Sequence, residues 1–168
     1  MLKVNWIYKV FNLTIALLLC YSSSLAQPAL PQRSNTLKAI QPIHFGSFCI
    51  TGGSGGTVTV GYDGSRSATG DIVLLNVPPF AQPAIFEIKL GQSATVCFNY
   101  EPPYLQLTGG SGSIAFVVGP TDKGPNGALF ATNANIVSQL RVGGTLTVMG
   151  SSPPGFYSGI FAISFSRQ

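Results

Sequence analysis

Charge is scarce in this chain: nine Lys or Arg and five Asp or Glu stand among 168 residues, with a single histidine and a single tryptophan. Nucleic-acid binding needs several spaced cations to meet phosphates, and no basic cluster exists, so no nucleic-acid partner is expected. A catalytic triad would rest on His44, the only histidine. It stands between Ile43 and Phe45 in an alternating stretch, and no Gly-x-Ser-x-Gly elbow supplies a nucleophile. Paired carboxylates for glycoside hydrolysis would come from Asp63, Asp71, Glu87, Glu101 and Asp122, yet each is better explained by a turn, a strand start or a solvent face. No catalytic residue is expected and no enzyme.

Cofactor and metal chemistry are equally thin. The run Gly52 to Gly56 has no following lysine and leads toward a strand rather than a helix, unlike a phosphate-cradling loop. Asp122 and Asn126 could supply two oxygens to calcium, which needs six or more. They read as a surface turn. Neither Cys49 nor Cys97 has a ligand partner at close spacing. No cofactor and no metal site are expected.

The first 26 residues behave as a unit. Lys3 and Lys9 flank a positive start, Phe11 to Leu19 is almost wholly apolar, and Ser24-Leu25-Ala26 offers small residues for cleavage, the layout of a secretory signal peptide. Cys20 lacks the small residue before it that lipid modification wants, having Leu19 instead. The apolar run is shorter than the roughly 20 residues of a spanning helix, and no membrane span is expected in the mature chain. Cleavage after Ala26 removes two lysines, leaving seven cations against five anions, so the basicity is mostly a property of the leader. The expected location is exported: periplasm, cell surface or extracellular.

Three cysteines occur, and two of them, Cys49 and Cys97, remain in the mature part. In an oxidising compartment an even pair most simply forms one bridge, here closing a loop of roughly 50 residues and contributing about 4 kcal/mol in the chain-entropy model. The alternative is two buried thiols acting as small hydrophobes.

What the mature part has in quantity is glycine, proline and period-two alternation, with no uninterrupted stretch for an ordinary helix. Thr57-Val58-Thr59-Val60 turns valines to one face and threonines to the other, and Thr145-Leu146-Thr147-Val148 repeats the pattern. Asp63-Gly64 between alternating stretches marks a hairpin. Further strands are expected at 40–48, 71–75, 84–90, 94–99, 113–118, 128–132 and 157–166. In the last, Tyr157, Gly159, Phe161, Ile163 and Phe165 share the core face. Phe86 and Ile88 point inward, while Glu87 and Lys89 pair outside at no more than about 1 kcal/mol. Thr-Gly-Gly-Ser-Gly occurs twice, at 51–55 and 108–112, as repeated turn chemistry.

Eight to ten short antiparallel strands at this spacing imply one all-β sandwich domain over residues 40–168, preceded by the signal peptide at 1–26 and a flexible, proline-containing tether at 27–39. Tyr62, Tyr100 and Tyr104 form a candidate ligand platform on the loops.

The blocks Phe45-Gly46, Gly55-Gly56-Thr57-Val58-Thr59-Val60, Asp63-Gly64, Arg66, Thr69-Gly70, Leu74-Leu75, Ala84-Ile85-Phe86, Val142 to Val148 and Gly155 to Phe161 follow one another in order. Together they resemble the bacterial Domain of Unknown Function 4402 family. The resemblance implies an exported immunoglobulin-like sandwich, similar to fimbrial subunits, with no catalytic residues to transfer. Cys49 and Cys97 are not part of that pattern. The function expected is a structural or adhesive subunit associating through sheet edges, with itself or other envelope proteins as partner. The alternatives are a secreted module binding glycans or proteins, and, third, a small outer-membrane barrel. The prolines of the tether argue against its acting as a donor strand.

Overall fold

A computed structural model describes residues 34–102, 104–109 and 112–168. The expected signal peptide and most of the expected tether lie outside the described residues. Within them the chain is all-β, with no helix and twelve strands: β1 (Thr36–Gln41), β2 (Phe48–Ile50), β3 (Gly56–Val60), β4 (Arg66–Gly70), β5 (Ile72–Leu74), β6 (Ala84–Lys89), β7 (Ala94–Glu101), β8 (Tyr104–Gly109), β9 (Gly112–Thr121), β10 (Leu129–Thr132), β11 (Val137–Val148) and β12 (Ala162–Arg167). Every pairing between them is antiparallel.

The large sheet has seven strands and is organised by β11. Val142 pairs with both Ala84 and Thr121, and Gly144 with both Val60 and Val118. β6 and β3 therefore lie end to end along one edge of β11, and β9 along the other. Among the described residues the main path of the sheet ends in β1 and β4 without closing on itself. The remaining strands form two separate small sheets, β10-β7-β12 and β2-β5.

Both small sheets pack on the same face of the large one. Val58, Phe116, Leu140, Val142 and Leu146 from the large sheet share one core with Ile72 of β5 and Phe98 of β7, and Phe48, Ile163 and Phe165 pack against it. Val58 and Val60 are fully buried, as their alternation with threonine requires. The outward threonines do work of their own kind: Thr59 and Thr145 hydroxyls bond across strands at 3.1 Å, and Thr57 and Thr69 at 2.7 Å.

The Asp63-Gly64 hairpin joins β3 to β4, but through a three-residue loop rather than a two-residue turn. Gly61 N–H donates to Ser65 C=O at 2.9 Å, and Gly64 alone takes positive φ, at 86°. That is a turn followed by a left-handed residue, which Asp-Gly also suits. The Asp63 carboxylate accepts from the Ser65 N–H at 3.0 Å and from its hydroxyl at 2.6 Å.

Three expectations change. The stretch 40–48 is not one strand but the end of β1, a segment carrying the isolated His44–Gln82 bridge, and the start of β2. The tether is shorter than expected, because 36–39 belong to β1 and pair with β6. Glu87 accepts from Gln139 Nε2 at 3.0 Å instead of pairing with Lys89, since Gln139 stands directly opposite it on β11.

Candidate functional groove

The second layer is broken. β2 has β5 on one edge, β12 has β7 on one edge, and no strand joins the two small sheets among the described residues. At the break lies an open groove of 1140 Å³. One wall is residues 42–52, which include β2; the other is residues 152–159 with Phe161, the segment leading into β12. The floor is Ile114 and Phe116 of β9 and Leu146 and Val148 of β11. These four alternate along adjacent strands and are 2–3% exposed. Among the described residues, no Asp, Glu, Lys or Arg lines the groove.

Each wall is held by backbone contacts. His44 and Gln82 exchange N–H to C=O bonds at 2.9 Å, and Gln82 Nε2 donates to Pro42 C=O at 3.1 Å. Arg66 clamps β2 to β5, donating to Ser47 C=O at 2.7 Å and Leu75 C=O at 3.1 Å. Burial pushes the pKa of its guanidinium below the ordinary arginine value. Opposite, Ser158 and Thr108 exchange backbone bonds at 3.0 Å, and Tyr157 Oη donates to Pro153 C=O.

The register of β2 exposes a backbone edge. Ser47 C=O accepts from Leu75 N–H and Thr51 N–H donates to Asp71 C=O, each at 2.9 Å, so the odd-numbered residues bond toward β5. Phe48 and Ile50 therefore turn their N–H and C=O groups to the other edge, which carries no strand. An uncovered strand edge beside apolar surface is a template for added backbone.

The rim is apolar. Phe156 is 94% and Ile160 90% exposed. Ile160 lies on a smaller cavity of 300 Å³ that it lines with Ala39 and Ile40, and that cavity shares Pro42, Ile43, Gly159 and Phe161 with the groove.

The residues singled out in the sequence fall elsewhere. Tyr100 is a core residue, stacked on Phe98 with ring centroids 6.4 Å apart, because its position on β7 faces inward. Tyr62 is exposed on the β3–β4 hairpin, and Tyr104 opens β8 opposite Val117. The three tyrosines make no platform as a set, since a buried ring has no face to offer. Cys49 and Cys97 are free thiols, so the expected bridge is not formed. Cys49 is exposed on β2 at the groove, whereas Cys97 on β7 donates to Gly127 C=O at 3.4 Å. Asp122 and Asn126 are committed to backbone: Asp122 accepts from Arg141 N–H at 2.8 Å, and Asn126 bonds both N–H and C=O of Tyr100. No group of three metal-ligating side chains occurs among the described residues.

The family model described as "Domain of unknown function (DUF4402)" matches residues 36–166, and the chain belongs to that family. No curated protein and no solved structure matches it.

Proposed function

We propose that this family member is an exported structural or adhesive subunit that holds another polypeptide in the groove of its broken layer. The observation behind this reading is the coincidence of an apolar floor with an unpaired backbone edge on β2. Recognition of that kind draws affinity from main-chain hydrogen bonds and selectivity from alternate side chains entering the floor. A binding module for a small glycan or apolar ligand is the second reading, favoured by the aromatic walls around Phe45, Phe48 and Tyr157. The groove volume of 1140 Å³ exceeds the range of about 300–1000 Å³ usual for small ligands, which favours a polypeptide.

The test is native mass and gel mobility of the chain recovered from the cell envelope, before and after boiling. A heat-sensitive complex, lost in Phe156→Asp/Ile160→Asp, is the expected result. A bare monomer with no bound polypeptide, in the wild-type chain, overturns the reading.

A further inference from the structure

Resting on that reading, we infer that the occupant of the groove is β1 of a second copy of this chain. β1 is the strand its own domain uses least. Five of its six residues are exposed, including Leu37 at 51% and Ile40 at 50%. It is held along one edge only, by β6, and its register already slips between Ala39 and Gln41.

Its side chains nevertheless carry the pattern of an inserted strand. Leu37 lies opposite Ile88 and Ala39 opposite Phe86, so both point to the core side of the sheet, where the second layer does not fully cover them. Lys38 lies opposite Glu87 on the other face. Placed in the groove, Leu37 and Ala39 meet the floor at Phe116 and Leu146, and Lys38 returns to solvent. The uncharged lining then has no ion to desolvate.

The trade favours the groove. In its own sheet β1 has one neighbour, whereas in the groove it lies between the free edge of β2 and the segment leading into β12. The prolines at 28 and 31, which argue against the whole tether as donor, fall outside this strand. Pivoting at Pro42, the six residues of β1 reach about 20 Å from their own domain. Each chain then has one strand to give and one groove to fill, so association runs head to tail.

The experiment uses the whole chain, exported and processed as expressed, in a Cys49→Ser/Cys97→Ser background. A differently tagged pair carrying Leu37→Cys in one chain and Phe156→Cys in the other is co-expressed and oxidised. A disulfide-linked heterodimer is expected, at least tenfold more abundant than with Leu129→Cys, on β10, in place of Phe156→Cys. Leu37→Asp/Ile40→Asp, at two half-exposed sites, is expected to abolish self-association while leaving the strand content by circular dichroism unchanged. Equal crosslinking to Leu129→Cys, or self-association that survives Leu37→Asp/Ile40→Asp, overturns the assignment of β1. A wild-type chain that never self-associates also overturns it. If that chain still carries a different polypeptide released by Phe156→Asp/Ile160→Asp, the groove reading stands without β1.

Discussion

Two phenylalanines border the groove and should respond in opposite ways to truncation. Phe116 is 2% exposed and Phe156 94%. The Phe116 ring packs edge-on against Phe45 at 5.5 Å and Phe161 at 6.0 Å, so it ties the floor to both walls. Phe116→Ala removes that ring from a site that closes poorly, because Gly144 directly beneath it has no side chain to move in. The expected loss is about 3–5 kcal/mol, within which each aromatic pair accounts for about 0.5–1.5 kcal/mol. Against a domain total of about 5–15 kcal/mol this is a large fraction. With a urea slope near 2 kcal/mol per M, the midpoint falls by roughly 2 M. Phe156→Ala should stay within about 0.5 kcal/mol of the wild type, as surface changes do. Urea titration followed by circular dichroism of dilute protein reads both. A Phe116→Ala midpoint within about 0.5 M of the wild type, by the same slope, would refute the placement of this ring in the floor.

Arg66→Ala should cost about 1–3 kcal/mol by leaving the Ser47 and Leu75 carbonyls without their donor, and hydrogen exchange should quicken first in β2 and β5; uniform quickening across the domain would contradict the clamp. Gly55→Ala should cost about 1–3 kcal/mol, because φ is 71° there and a Cβ would run into the Val148 carbonyl; an unchanged midpoint counts against that entry to β3. The Asp63 carboxyl is held below its ordinary value of 3.8, first by the Ser65 hydroxyl and then by the Ser65 N–H. The stabilisation it lends the hairpin is complete above that ordinary value and is lost as pH falls through the lowered one. An NMR titration of Ser65→Ala should move the Asp63 midpoint upward, and an unmoved midpoint removes the hydroxyl from the account. Intact mass without reductant should show both thiols, with Cys49 alkylated faster than Cys97; a mass two hydrogens lower would restore the bridge.

Local pattern carried much of this fold. Alternation placed Val58, Val60, Leu146 and Val148 in the core, and the last strand's odd-numbered residues from Phe161 to Phe165 pack there. Two strands were hidden by their surroundings. β8 follows Pro102-Pro103 and runs into the repeated glycine motif, so its alternation read as loop. β11 extends back to Val137, across Gly143-Gly144, which looked like a break. Gly143 is instead a close approach: a Cβ there would meet the Val60 carbonyl, where β3 takes over the edge from β6. The buried Leu140 and Val142 before it were the available signal.

The groove was not legible, for a reason that also bears on how it works. It is a consequence of which strands pair, not of any motif: β2 chose β5, β12 chose β7, and the space between belongs to neither. An occupant that bonds both edges joins two small sheets that no strand pairing connects among the described residues. Binding and folding are then linked. An occupant present at 100 times its dissociation constant adds about 2.7 kcal/mol to a state that alone holds it. For the domain this is comparable to losing or restoring a core side chain. The filled form should therefore unfold as one cooperative unit, whereas in the empty form hydrogen exchange in β2 and β5 should outpace that in β7. Equal protection of β2 and β7 in the empty form would mean that the break in the layer carries no energetic weight.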